Sequence, residues 1–169
     1  HRRPHPTRDG HICMLPYTDK QWRNFWDIAG RRELANDHRF IDMQARSMNI
    51  DDLYATAQTG PDEIDLVQTY DDYPVISMLQ LEDLGFCKKG EAGKFIQETD
   101  MRFDGSGTLN KKLPHNTNGG QLSVGQAGAA AGYLGLNETL RQLTDKAVNN
   151  SVSKAKIGLI SGFGMINYD

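Results

Sequence analysis

Cysteine is nearly absent from this chain. Cys13 and Cys87 are the only two, too few for a disulfide framework and in no spacing that would ligate a metal. Charge is also scarce in net terms, −3 over 169 residues, with lysines and arginines interspersed among acids, so there is no basic footprint for nucleic acid. No apolar run approaches the ~20 residues of a membrane-spanning helix, and no signal-peptide pattern is present. A soluble, cytoplasmic protein is expected, and the glycosylation triplets at Asn137 and Asn149 then count as chance. The apolar share of 38% is enough for a core. The first residue is His1 and the last, Asp169, follows an apolar run, so the expectation is a piece of something longer.

Glycine, in contrast, is concentrated in one stretch. From Leu113 to Leu143 a polar loop passes Gly119-Gly120 and Gly125 and then reads as a helix of small residues through Gly128, Gly132 and Gly135, becoming amphipathic at Leu136, Leu140 and Leu143. Glycine costs about 1 kcal/mol relative to alanine inside a helix, so this pattern predicts a central, buried helix approached closely by other backbone. Its glycine-preceded N-terminus would offer free N–H groups to a carbonyl oxygen, a thioester oxyanion or a phosphate.

Ahead of that stretch the chain alternates in type. His11 to Leu15 reads as a strand, and Trp22, Phe25, Trp26 and Ala29 lie on one face of a helix stopped by Gly30. Arg31 to Asn36 predicts a short second helix. Asn49 predicts the cap of a third, carrying Ile50, Leu53, Tyr54 and Ala57. A strand over Ile64 to Tyr70 follows. The next helix, Val75 to Gly85, is expected to bury Ile76, Met78, Leu79 and Leu84, and Phe95-Ile96 marks a brief further helix or turn. Ile157 to Met165 reads as a buried strand running into a glycine turn.

Three tempting motifs fail on their chemistry. Phe103 to Thr108 would need carboxylates at Arg102 and Leu113 to be a calcium loop. Gly125, Gly128 and Gly132 lack the preceding strand and following acid of a dinucleotide fingerprint. Cys87, beside Lys88 and Lys89, would be an activated thiol only with a nearby base, and none is close in sequence.

The string Ala29-Gly30-Arg31-Arg32-Glu33-Leu34-Ala35-Asn36-Asp37-His38-Arg39-Phe40, within a match from about Arg3 to Ala57, resembles the class III CoA-transferases, the family of formyl-CoA and carnitine CoA-transferases. None of its residues matches that family's catalytic aspartate. From about Gly60 to Asp169 the chain resembles the C-terminal part of the thiolase superfamily. Asn116 to Gly120 matches an Asn-x-x-Gly-Gly loop, and Gly125-Gln126-Ala127 matches a Gly-His-Pro turn with Gln126 in the histidine's place. Tyr70-Asp71-Asp72-Tyr73 matches Asn-Glu-Ala-Phe or His-Asp-Cys-Phe, which puts Tyr70 where the family has the Asn or His that orients a catalytic water. Gly162-Phe163-Gly164 keeps the glycine turn of Cys-x-Gly-Gly-Gly, but Ile160 replaces the cysteine that takes the substrate's α-proton.

The resemblance implies an α/β thiolase-like C-terminal half-domain of five strands, with βαβ layers and a buried central helix, over residues 58–169. A small α-rich segment with one short strand, residues 1–57, precedes it. Its implied activity is handling of an acyl-CoA, as an acyltransferase of lipid metabolism or in carbon–carbon bond formation or cleavage. Coenzyme A thioester would be the substrate, with no permanent cofactor or metal. The implied catalytic candidates are Tyr70 and Gln126. Asn118, Gly119, Gly120, Gly125 and Gly162 would shape the thioester pocket. The nucleophile belongs to the half of a thiolase that is absent here, so the module is expected to be inactive alone. Its expected partner is a second copy, the missing half, or a small OB-fold subunit. Two other readings stay open: a non-catalytic assembly piece and a CoA-transferase fragment.

Overall fold

The computed structural model describes residues 5–6, 11–14, 19–28, 30–125 and 132–162. In chain order the elements are β1 (His5–Pro6), β2 (His11–Met14), α1 (Asp19–Ile28), a 3-10 turn (Arg32–Asn36), α2 (Met43–Met48), α3 (Ile50–Ala57), a 3-10 turn (Pro61–Glu63), β3 (Leu66–Gln68), α4 (Pro74–Asp83), α5 (Ala92–Glu98), β4 (Thr99–Asp100), β5 (Lys111–Lys112), α6 (Gly120–Val124), α7 (Gly132–Leu143) and β6 (Ile157–Ile160).

The main sheet has the order β1-β2-β6-β3. β6 lies parallel to both β2 and β3, and β1 pairs antiparallel with β2. Alternation along the strands sorts side chains to two faces. Val67 and Leu159 join Tyr54, Leu81, Leu84, Phe86 and Phe95 on one side. Leu66 and Ile160 join Leu143, with Leu136 and Ala155 against them, on the other. Helix α7 covers that second face, contacting β2, β3 and β6. It approaches closely: a Cβ on Gly135 would stand 3.1 Å from Gln68 Cβ, and one on Gly158 would overlap the Thr139 methyl. Helix, sheet and helix thus form the expected α/β layers.

The Asp65 carboxylate aligns the strands by accepting from the N–H groups of Lys156 (2.7 Å) and Ile157 (2.8 Å). The N-terminal segment contributes two strands rather than one, and β2 completes the sheet through β6. The free side of β3 is closed by the loop that follows β5. Val67 N–H donates to Pro114 C=O (2.9 Å) and Asn116 N–H to Val67 C=O (3.0 Å), in a single parallel bridge between Val67 and His115. Among the described residues of 58–169 there are four strands where five are expected, β3 and β6 in the main sheet and β4 and β5 paired in a separate two-stranded sheet.

Several local expectations are corrected. Arg32–Asn36 is a 3-10 turn, not an α-helix. The Asn49 side chain makes no cap bond to α3; its Nδ2 instead donates back to Ala45 C=O at 2.7 Å, closing α2, whose own start is capped by Asp42. On α4, Leu79 is 44% exposed, while Ser77, Gln80 and Leu81 are buried. The stretch after Gly119 forms the short helix α6 instead of continuing as loop. Leu140 is exposed, and the buried face of α7 carries Glu138, Thr139 and Gln142 beside Leu143. Trp26 is buried as its helical face predicts, and Ala29 lies outside the described residues.

Candidate functional site

Because β3 and β6 are parallel neighbours, their C-terminal ends open on the same edge, where open α/β sheets place ligands. Ser161 N–H donates to Gln68 C=O at 2.8 Å, so Gly162 on one strand end and Thr69-Tyr70-Asp71 on the other emerge side by side. The Asn116–Gln121 segment folds over this edge. Asn116, at φ +45°, turns its Oδ1 to accept from Thr69 N–H (2.8 Å). Gly119 N–H donates to Asn116 C=O (2.7 Å), and Gly120 N–H donates to Asn118 Oδ1 (2.9 Å).

Asp71 is the clasp between the two pieces. The residue is 8% exposed, and its Oδ1 accepts from Gln121 N–H at 2.6 Å. Gly120, at φ +65°, lies so close beneath it that any Cβ would overlap the carboxylate. The amides of Gly119 and Gly120 are therefore engaged within the loop, and that of Gln121 by Asp71. These residues shape the rim, and the N-terminus of the glycine-rich helix, where free N–H groups are expected, falls on residues 126–131, outside the described residues.

Tyr70 is held by its main chain. Its N–H donates to Gln80 Oε1 (3.1 Å), and its C=O accepts from Gln80 Nε2 (2.8 Å). Its hydroxyl donates to Asp72 Oδ2 at 2.9 Å. Gly125 sits at the far end of α6, at φ +98°, with its N–H on Gln121 C=O (2.9 Å). Thus Tyr70, Asn118, Gly119, Gly120 and Gly162 gather at one sheet edge, Gly125 lies one short helix away, and Gln126 lies outside the described residues.

Two polar clusters support this edge from opposite faces, and neither was read from the sequence. On the α4 side, His115 Nε2 lies 2.7 Å from Thr69 Oγ1 and 3.2 Å from Ser77 Oγ, and the two hydroxyls bond each other. Burial pushes the His115 imidazole down to about 4, against the opposing pull of Asp71, so it is neutral at physiological pH. Paired hydroxyls and imidazole suggest a nucleophile and base. Thr69 and Ser77 are each 6% exposed, which denies a thioester access, and the cluster is a brace.

On the α7 side, Glu138 Oε1 accepts from Thr117 Oγ1 (2.7 Å), Gln142 Nε2 (2.8 Å) and Asn150 Nδ2 (2.9 Å). Its Oε2 accepts from Arg141 (3.1 Å), and Gln68 Nε2 donates to Thr117 Oγ1 (3.1 Å). Polar residues at i and i+4 on a helix read as a solvent face; only the arrival of Thr117 and Asn150 makes them core.

Ile160, in the position of the family's base, is 6% exposed and packs with Leu66 and Leu143. Cys87 is no thiolate: burial pushes its thiol up, Glu82 and Glu91 add to the shift, and only Lys111 opposes it. Lys89 is occupied by Asp83. Among the described residues no group of three or more His, Cys, Asp or Glu could hold a metal ion. None of their helices is long and apolar enough to cross a membrane.

The thiolase C-terminal domain-like family matches residues 31–168. This chain belongs to that family. Its relatives include an acetyl-CoA acetyltransferase of Methanothermobacter thermautotrophicus, 32% identical over 66% of this chain and 27% of the relative. Another is the 17-hydroxy-3-oxo-4-pregnene-20-carboxyl-CoA lyase of Mycobacterium tuberculosis, 35% identical over 67% of this chain and 27% of the relative. Among solved structures it resembles the Ltp2-ChsH2(DUF35) aldolase, with a TM-score of 0.56 and 28% identity over 72% of this chain and 29% of that one. The chain spans little more than a quarter of the length of these relatives. The thiolase-like match begins at Arg31, upstream of the strand and loop that carry the site.

Proposed function

We propose that this chain is an acyl-CoA-handling thiolase-like module, of the acyltransferase or carbon–carbon bond forming and cleaving class, which supplies one wall of a thioester site. The observation that carries this reading is the Asp71 clasp. It joins the Tyr70 turn to the Asn118–Gln121 loop at the C-terminal ends of two adjacent parallel strands. A site built from loops at that edge suits a ligand with a long polar handle and a reactive end. With Ile160 packed as core, α-proton removal by a cysteine is unavailable from that position. Tyr70 is the remaining acid/base candidate, with Gln126 following it by sequence position alone.

A lyase and an aldolase among the relatives support carbon–carbon cleavage. The two components in the name of the Ltp2-ChsH2(DUF35) aldolase support a partner subunit. The module is inactive by itself on this reading, because the described site holds no accessible nucleophile. The test is calorimetric titration of the folded chain with CoA and with acetoacetyl-CoA. Saturable binding, weakened by Gly120→Val, is expected; a folded chain that binds neither would defeat the reading.

A second reading, a non-catalytic assembly piece, is favoured by the apolar side chains that α4 and the turn before it leave exposed: Tyr73 at 65%, Val75 at 56% and Leu79 at 44%. Thioester binding separates the two. The thiolase C-terminal domain-like match covers residues 31–168, across both the CoA-transferase-like wording of residues 31–40 and the position of a seam near residue 57, and so supports neither a seam there nor the reading as a CoA-transferase fragment.

A further inference from the structure

The loop over the sheet edge is anchored on either side of Asn118. Asn116 Oδ1 accepts from Thr69 N–H (2.8 Å). Thr117 is buried, its hydroxyl donating to Glu138 Oε1 (2.7 Å) and its C=O accepting from Asn150 Nδ2 (2.7 Å). Gln121 N–H is held by Asp71 (2.6 Å). Asn118 itself is half-buried. Among the described residues, the bond its side chain makes is that of Oδ1 with Gly120 N–H (2.9 Å). Only the oxygen of a side-chain amide accepts, so this bond fixes which way the amide is turned. The Nδ2 group, a pair of N–H donors, is left over on an anchored loop.

Charge decides what those donors suit. The Asn116–Gln121 loop, the stretch from Leu66 to Tyr73 and the end of β6 up to Gly162 contain no lysine or arginine, while Asp71 and Asp72 stand in the turn that the loop meets. Arg102 and Arg141, on neighbouring segments, are each held by a buried carboxylate, Asp100 (3.0 Å) and Glu138 (3.1 Å). Carboxylates repel a phosphate, and a neutral carbonyl oxygen is the acceptor that remains.

We infer that the Asn118 side-chain amide is the donor that receives the acyl carbonyl oxygen of a thioester at this edge. This rests on the acyl-CoA reading and deepens it by naming the atom that meets the acyl group. The amide carbonyls of the pantetheine arm offer the same chemistry, so a test has to separate them from the acyl carbonyl.

The experiment is calorimetric titration of the whole chain with CoA and with acetyl-CoA, which share phosphates and pantetheine and differ by one acyl carbonyl, repeated in Asn118→Asp. That variant keeps an acceptor for Gly120 N–H and replaces the Nδ2 donors by an oxygen. Its added charge acts on the phosphates of both ligands alike. Acetyl-CoA is expected to lose roughly 3–10-fold more affinity than CoA, the worth of one hydrogen bond. Equal losses with the two ligands, no loss with either, or native binding of CoA without acetyl-CoA overturns the inference and leaves CoA handling standing. A folded native chain that binds neither ligand overturns that reading and this inference together. Should Asn118→Asp fail to fold, NMR of the isotope-labelled native chain decides. The Asn118 side-chain amide signal, assigned through its own Cβ, is expected to move with acetyl-CoA and to stay with CoA; equal shifts, or none, overturn the inference.

Discussion

The Asp71 carboxylate occupies the space that a side chain at position 120 would need. A Cβ on Gly120 would overlap it, and the same carboxylate takes the Gln121 amide at 2.6 Å. Position 120 is also at φ +65°, where a β-carbon is strained whatever its surroundings. Gly120→Ala should therefore cost about 2–3 kcal/mol in urea denaturation. Asp71→Ala should recover part of that loss in the double variant, since the clash then has no second partner. Strict additivity of the two changes would mean that they do not touch in solution.

His115 gives the fold a dependence on acid. Its imidazole, held neutral by burial, titrates at about 4 instead of 6.5. Between those values the unfolded chain binds the proton more readily, so its contribution is complete above the higher value and is lost as pH falls toward the lower. The loss should be on the order of 2 kcal/mol, discounted for the partial exposure of the ring. Denaturation midpoints measured across this range should fall with pH in the native chain and flatten in His115→Gln.

Glu138 is buried with three donors on one oxygen and Arg141 on the other. Glu138→Ala would take the acceptor of the Thr117 hydroxyl and one bond each from Gln142 and Asn150, which keep Asn150 C=O and Thr117 C=O as acceptors. It should cost about 3 kcal/mol. Glu138→Gln keeps an acceptor for those three donors and should cost less. A chemical denaturation series that ranks the two variants equally would contradict the network.

For Tyr70, the decisive variant is Tyr70→Phe within a complete enzyme that includes the residues its relatives have and this chain does not. Loss of the phenol should lower the turnover rate by roughly 10²–10⁴-fold. In the isolated chain the same change should leave folding intact, because the Gln80 clamp is made by the Tyr70 main chain. An unchanged rate in the complete enzyme would remove Tyr70 from the chemistry.

Much of the fold is legible in the sequence. The α/β layering follows from apolar runs at Ile64 and Ile157 set between helical repeats, and helical glycines predict the close approach that the structure shows where Gly135 meets Gln68 and Ile160. The site was legible in part. Tyr70, Asn118, Gly119, Gly120 and Gly162 were picked out on family wording, and they lie at one sheet edge. Its working partners were not. Asp71 in a run of two acids reads as a surface turn, and His115 before an asparagine carries no periodic signal. The buried face of α7 was misread at Leu140 because a polar i, i+4 pair such as Glu138 and Gln142 has the pattern of a solvated face.

The sequence by itself determined the strand or helix type of the longer patterned segments, β2, α1, α3, β3, α4, α7 and β6, and which family the loop wording resembles. These depend on local sterics and on periodicity, properties of neighbouring residues. Only the tertiary structure decided that Asp71 closes over Gly120, that Glu138 is core, and that His115 is neutral. Each depends on groups 20 to 50 residues apart meeting away from water, as Glu138 meets Thr117 (21 apart) and Gln121 meets Asp71 (50 apart). Desolvation of that kind gives a polar side chain its energy and its role, and no local pattern records it.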